Sequence, residues 1–230
     1  MSIIQKPSPN FDEREGHDID MLVLHYTGMK TGEEALARLC DPAAKVSAHY
    51  VVEEDGRIFQ LVEESMRAWH AGVSFWRGAT NINQRSIGIE IVNPGHEFGY
   101  RPFPRVQTEA VLALCQGILA RHAIGARNVV GHSDVAPTRK EDPGEYFDWQ
   151  LLAAGEVGLW PSAQENLPLA DKRGLPARLS AYGYDAADLP RAITAFQRHF
   201  RPKTVSGEWD TECAALLASL LQLAGVREID

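Results

Sequence analysis

The sequence is poor in cysteine, with only three in 230 residues: Cys40, Cys115 and Cys213. They are widely separated and no two form a Cys-x-x-Cys pair, so neither a disulfide framework nor a cysteine-based zinc site is indicated. We expect most of them to be small buried apolar residues.

Long apolar runs and basic stretches are also missing. No segment approaches the roughly 20 consecutive apolar residues of a membrane span, and the N-terminus carries no apolar run of the roughly 7–15 residues typical of a secretory signal. The net charge is -8, which argues against nucleic acid as a partner because phosphate backbones are held by basic surfaces. We therefore expect no membrane insertion and a location in the cytoplasm, or in the periplasm if a leader has been removed. A monomer is the default expectation.

The remaining composition is that of a globular protein, with 44% apolar and 23% charged residues. Near Trp160-Pro161 the chain becomes polar and aperiodic and carries two prolines, which indicates a linker. We predict a first domain over residues 1–155, a linker over 156–173, and a small C-terminal three-helix domain over 174–230.

Strand patterns dominate the first domain. Residues 20–25 are predicted to form a short apolar strand, and the segments 49–52 and 57–62 flank Asp55-Gly56, a dipeptide typical of tight hairpin turns. In a further strand over 86–92, three isoleucines alternate with other residues. That alternation predicts that Glu90 points away from the isoleucine core.

Helix patterns follow. Between Gln107 and His122 the apolar residues recur at helical spacing, and residues 128–130 then predict a last short strand. Pro190 suits the first turn of a later helix, and Asp210 can cap another. Because strands and helices interleave, we predict an α/β fold, with a mixed central sheet flanked by helices.

Two histidines stand where predicted strands end. His25 and His132 each close a short apolar strand, where side chains leave the core and enter a cleft at the edge of a sheet. With an acid, they could form the three-ligand zinc site of a hydrolase, in which zinc activates a water molecule. Asp134 and Asp142 both follow His132 closely and compete as that acid. His199, on a C-terminal helix, is expected to be a surface residue.

Five short segments occur in a characteristic order. They are residues 24–27 (LHYT), 47–56 (SAHYVV with a later DG), 68–72 (AWHAG), 86–90 (SIGIE) and 131–144 (GHSD through KEDPG). Together they resemble the N-acetylmuramoyl-L-alanine amidase type 2 family, which is related to the peptidoglycan-recognition proteins. The resemblance covers about residues 18–152, and ordered motifs are far more specific than a single pattern. It implies hydrolysis of the amide between N-acetylmuramic acid and L-alanine, in cell-wall recycling or remodelling.

The resemblance also implies residue roles. His25, His132 and Asp142 match the three ligands of a Zn²⁺ cofactor. Glu90 matches the acid that serves as general base, and Lys140 matches the cation that steadies the oxyanion. These assignments make the first domain the catalytic one.

Other positions are less specific. The match at Asp142 leaves Asp134 as a hydrogen-bond acceptor that orders its loop. Some relatives have a catalytic tyrosine immediately before a recurrent histidine, here His49. This chain has Ala48 instead, which moves the base function onto Glu90 and leaves His49 a structural or supporting residue.

Substrate contacts are predicted from the same resemblance. Trp69, His70 and Trp76 match the segment that lines the substrate groove in relatives, although Trp69 could equally be a core residue with His70 as its neighbour. Residues 174–223 resemble a three-helix peptidoglycan-binding domain. The expected partners are therefore peptidoglycan fragments or polymer, and the sugar could be the 1,6-anhydro form.

Two alternative functions are compatible with the same residues. One is a peptidoglycan-recognition module that binds without cutting, and the other is a metallo-peptidase that cuts within the stem peptide. The presence of all three ligand candidates together with Glu90 and Lys140 favours catalysis. The hydrolytic chemistry is the same for both kinds of amide, so only the resemblance favours the muramoyl-alanine bond.

Overall fold

The computed structural model of the chain describes residues 2–162 and 174–226, in which eight strands and nine helices are found. The strands are β1 (Ile3–Gln5), β2 (Phe11–Glu13), β3 (Met21–Tyr26), β4 (Tyr50–Val52), β5 (Ile58–Gln60), β6 (Met66–Ala68), β7 (Ser86–Ile91) and β8 (Val129–Gly131). The helices are α1 (Gly32–Cys40), α2 (Ile82–Arg85), α3 (Gly95–Phe98), α4 (Arg105–Leu119), α5 (His132–Val135), α6 (Trp149–Ala154), α7 (Leu175–Tyr182), α8 (Leu189–Phe200) and α9 (Thr211–Leu223). A short 3₁₀ turn, Ala126–Asn128, precedes β8.

Six strands form one mixed sheet in the order β1-β5-β4-β7-β3-β8. The β4–β5 hairpin is antiparallel, as its Asp-Gly turn predicts, and the other pairs of this sheet are parallel. Strands β2 and β6 make a separate antiparallel pair. The predicted α/β fold with a mixed sheet flanked by helices is confirmed.

The two faces of this sheet have different neighbours. Leu22 and Leu24 of β3 and the isoleucines of β7 pack under the apolar stripe of α4. Side chains alternate along a strand, so Val23 and His25 point to the opposite face. There Val23 joins a second apolar cluster that includes the C-terminal helices, whereas His25 lies beyond that cluster, at the carboxyl end of β3.

Helices α8 and α9 begin where the sequence predicts. Asp188 and Asp210 cap α8 and α9 by accepting backbone N–H groups, and Pro190 lies in the first turn of α8. Phe196 and Phe200 are buried in the cluster that also contains Val23. A fully buried phenylalanine contributes roughly 1.5–3 kcal/mol, so this shared core joins α7–α9 firmly to the sheet.

The division into domains stays a prediction. Residues 163–173 of the predicted linker and 227–230 of the predicted C-terminal domain lie outside the described residues. In residues 2–162 and 174–226, no helix combines the length and apolar character needed to cross a membrane.

Candidate metal centre and active-site cleft

A cleft of about 660 Å³ opens at the carboxyl ends of β3 and β7. Parallel strands bring the side chains at their ends to one edge of a sheet, which is where α/β proteins bind ligands. Glu90, His132, Lys140 and Asp142, four of the predicted site residues, line this cleft. His25 lies beneath them and is 1% exposed.

His25, His132 and Asp142 converge at the bottom of the cleft. The Nδ1 atoms of the two histidines are 2.9 Å apart, and each lies 3.0 Å from Asp142 Oδ2. The fold dictates this meeting, because His25 is on β3 and His132 directly follows its neighbour β8. Asp142 is brought back by a hydrogen bond from Ser133 N–H to its carbonyl oxygen, at 2.9 Å.

Hydrogen bonding fixes which nitrogen of His132 faces the cluster. Its Nε2 lies 3.0 Å from the carbonyl oxygen of Ala71. A carbonyl oxygen can only accept, so Nε2 carries the proton. The Nδ1 atom of neutral His132 therefore presents a lone pair to His25 and Asp142.

A chain of three side chains fixes His25 in the same way. The Ser86 hydroxyl donates to the Ile82 carbonyl at 2.7 Å, so it accepts from His70 Nε2–H at 3.2 Å. His70 Nδ1 then accepts from His25 Nε2–H at 3.1 Å, which leaves the His25 Nδ1 lone pair directed into the cluster. Gly88 makes room for this chain, because a Cβ there would lie 2.4 Å from Cγ of the His70 ring.

Two lone pairs and a carboxylate oxygen thus face one another within about 3 Å, an arrangement that a bound cation would stabilise. Burial, together with neighbouring His132, lowers the pKa of His25 to about 4, which favours the neutral form of His25 at neutral pH, the form that can bind a metal ion. Nitrogen and carboxylate donors in this number suit zinc in an open catalytic site.

Glu90 lies beside this cluster. It is paired with His25 in the β3–β7 register, and its Oε2 atom is buried without a hydrogen-bond partner among the described residues. Burial, reinforced by the charge of Asp142, raises the pKa of Glu90 well above 4.5, against the opposing effect of Lys140. A carboxylate with raised proton affinity is suited to accept a proton.

Asp134 lies outside the cluster. It is fully buried and accepts hydrogen bonds from Gly131 N–H, from the Tyr184 hydroxyl and from His199 Nδ1, each at 2.7 Å. The prediction that His199 is a surface residue is wrong, since it is 4% exposed and stacks on Trp149. His199 is buried because the buried carboxylate of Asp134 needs hydrogen-bond donors.

The predicted groove residues separate into two groups. Trp69 and His70 line the cleft, and Trp69 Nε1–H donates to Asp12 at 2.7 Å. Trp76, by contrast, is 1% exposed and packs edge-on against Tyr184, so it is a core residue and not a residue of the groove. The sequence alone does not distinguish an aromatic side chain that lines the groove from one that is buried in the core.

His49 supports the sheet beneath His70. Its Nδ1 accepts from Gly88 N–H at 3.0 Å, and its Nε2 lies 2.8 Å from the guanidinium of Arg14. Arg14 is not among the site residues predicted from the sequence; it is 6% exposed and donates to several backbone carbonyls. No motif marks it, because its partners are backbone atoms.

An α/β sheet with two histidines and an aspartate converging beside a buried glutamate is the arrangement of metal-dependent hydrolases. Similarity to known proteins identifies which family of hydrolases this is. The N-acetylmuramoyl-L-alanine amidase family model matches residues 15–145, which is more than half of the chain. The chain belongs to this amidase family.

Two relatives differ in how much of this chain they match. The chain is 40% identical to N-acetylmuramoyl-L-alanine amidase AmiD of Escherichia coli K12, over 93% of this chain and 91% of the relative. It is 35% identical to 1,6-anhydro-N-acetylmuramyl-L-alanine amidase AmpD of Haemophilus influenzae, over 64% of this chain and 88% of the relative. AmiD therefore includes a counterpart of most of the C-terminal helices.

Solved structures of related amidases superpose on this chain over nearly its whole length. The complex of E. coli AmiD with anhydro-N-acetylmuramic acid-L-Ala-D-gamma-Glu-L-Lys superposes with a TM-score of 0.83, at 38% identity over 95% of this chain and 99% of that one. AmpDh3 of Pseudomonas aeruginosa in complex with anhydromuramic pentapeptide gives 0.81, at 33% identity over 94% and 95%. The likeness to both extends through the C-terminal helices.

Proposed function

We propose that this chain is a zinc-dependent N-acetylmuramoyl-L-alanine amidase, with peptidoglycan fragments or polymer, including 1,6-anhydro-muropeptides, as substrates. The observation that carries the proposal is the convergence of His25, His132 and Asp142, with two lone pairs and one carboxylate oxygen, beside the unpartnered carboxyl of Glu90. The anhydro-muropeptide ligands of the related structures support the choice of substrate.

His25, His132 and Asp142 would hold the ion. The three donor atoms lie 2.9 and 3.0 Å apart, close enough for all three to bind one ion. When bound, zinc polarises the scissile carbonyl and activates the attacking water. The hydrogen bonds to Ala71 and His70 keep both imidazoles in the tautomer that binds it.

Glu90 then moves the proton. Its carboxylate accepts a proton from water as the oxygen attacks the carbonyl carbon of the lactyl group. As the C–N bond breaks, the same proton passes to the nitrogen of L-alanine, so Glu90 ends ionised. Lys140, at the cleft, stabilises the negative charge that develops on the carbonyl oxygen. The second proton of the water leaves the new carboxylic acid, so the products are the muramic acid carboxylate and a free stem peptide whose α-amine takes up a proton.

The test is mass spectrometry of products. Purified, zinc-loaded protein is incubated with anhydro-N-acetylmuramoyl peptides and, in parallel, with intact sacculi, each beside an EDTA-treated control. We expect EDTA-sensitive release of a stem peptide that begins with L-alanine. Cleavage within the peptide would identify a metallo-peptidase instead, and binding without metal-dependent cleavage would identify a recognition module. The preferred substrate distinguishes recycling from wall remodelling.

A further inference from the structure

Asp134 is a buried carboxylate that the proposed chemistry does not use. It is 0% exposed and lies on α5, two residues after His132. One of its oxygens accepts from Gly131 N–H and the other from the Tyr184 hydroxyl. Burying a charge without donors is costly, so the groups that supply these hydrogen bonds also hold α5 in place.

The third donor comes from helix α8. His199 Nδ1 lies 2.7 Å from Asp134 Oδ2, and since the carboxylate only accepts, Nδ1 carries the proton. The His199 ring is stacked between Trp149 and Phe200, with centroid distances of 3.8 and 3.9 Å. This packing leaves the donor little freedom to move away from Asp134.

The preceding residue on α8 contacts the other end of the same segment. Arg198 donates to Glu141 at 2.6 Å, and Glu141 directly precedes Asp142. Helix α8 therefore contacts the segment 131–142 at both ends. That segment carries two of the three proposed ligands as well as the proposed oxyanion cation.

We propose that the C-terminal helices position the metal site, with Tyr184 and His199 holding Asp134 so that His132 and Asp142 stay at ligand distance. This inference rests on the proposed function, because it requires a metal bound by those residues. Neither Tyr184 nor His199 lines the cleft, so both are positioning residues. The C-terminal helices thus act on the catalytic centre itself, in addition to any contact with glycan.

The experiment compares two substitutions of one side chain in the full-length protein. His199→Phe keeps a ring in the stack and removes the donor, whereas His199→Asn removes the ring and keeps an N–H donor at the δ position. Tyr184→Phe removes only the hydroxyl bonded to Asp134. Tyr182→Phe is the matched control, since this buried tyrosine belongs to the same cluster and makes no hydrogen bond to Asp134.

Three quantities are measured for each variant: zinc affinity by chelator competition, kcat for muropeptide hydrolysis, and the Tm of the metal-free protein. We expect His199→Phe to bind zinc about tenfold more weakly and Tyr184→Phe a few-fold more weakly, as for other groups that orient metal ligands. His199→Asn should stay within about threefold of wild type even if its Tm falls, and Tyr182→Phe should match wild type.

Zinc affinity unchanged in His199→Phe, or lost equally in His199→Asn, would overturn the inference. If His199→Phe does not fold, Tyr184→Phe decides, because it preserves the packing; wild-type affinity in that variant would equally overturn the inference. A wild-type protein that neither binds stoichiometric zinc nor releases stem peptide would instead remove the proposed function, whatever the variants do.

Discussion

His25 and Glu90 stand side by side on neighbouring parallel strands, paired in the register of β3 and β7. Register partners project to the same face of a sheet, so the proposed ligand and the proposed base share one edge of the cleft. The pairing sets the base beside the site of attack without any contribution from a flexible loop.

Replacing Glu90 should therefore separate chemistry from metal binding. Glu90→Gln keeps the shape of the side chain and removes its basicity, so we expect zinc stoichiometry to be preserved and turnover to fall roughly 10²–10⁴-fold. Metal analysis and product formation measure the two effects. Glu53→Gln, at a half-buried acid outside the cleft, is the control. Wild-type turnover in Glu90→Gln would discard Glu90 as the base.

Lys140 should act mainly in the transition state. Lys140→Met is expected to lower kcat by roughly 10²-fold, with a smaller effect on KM, because the negative charge it stabilises exists only during reaction. Steady-state kinetics on an anhydro-muropeptide give both constants. Lys30→Met serves as control, because Lys30 lies over the Phe98 ring near the cleft and does not line it. An effect confined to KM would make Lys140 a binding residue only.

The Ser86–His70–His25 chain predicts that residues remote from the ion control its affinity. Ser86→Ala removes the acceptor of His70 Nε2–H, so the His25 tautomer is no longer fixed, and His70→Phe removes the chain altogether. We expect zinc to bind about tenfold more weakly in both, by chelator competition, with an altered visible spectrum of the Co²⁺ form. His96→Phe is the control, since His96 also lines the cleft but bonds to Tyr26. A raised KM with unchanged zinc affinity would make His70 a groove residue, as the motif suggests.

Buried histidines give the metal-free protein a pH-dependent stability. Burial, with neighbouring Arg14, lowers the pKa of His49 to about 3 from an ordinary value of 6.5. The unfolded chain takes up this proton below pH 6.5 and the folded chain does not, so the contribution is complete above pH 6.5 and is lost as the pH falls toward 3. The slope is about 1.4 kcal/mol per pH unit for each such group.

Urea titrations of EDTA-treated protein between pH 7 and 4 measure this slope. His49→Asn is the matched variant, because its Oδ1 can still accept from Gly88 N–H while the titrating ring is gone. We expect a shallower pH dependence in His49→Asn. The same slope in both proteins would mean that His49 does not contribute.

The parts of the site that could be predicted are those with local signals. Apolar runs and alternation place His25, Glu90 and His132 at strand ends, and the ordered motifs select Asp142. Asp134 and His199 could not be paired in advance, because they are 65 residues apart and the face that α8 turns inward depends on how it docks. The direction of the Ser86 hydroxyl is likewise set by a carbonyl that carries no sequence signal.

The proposed ligands are distant along the chain. His25 is 107 residues from His132 and 117 from Asp142, so the donor cluster exists only once the sheet has formed. An ion held there would tie the third strand to the loop after the eighth, as a reversible cross-link spanning half of the polypeptide. Its binding energy would then add to folding, by about 2.7 kcal/mol at a free concentration 100 times Kd. Chelators should consequently lower the stability of the folded protein as well as stop its chemistry.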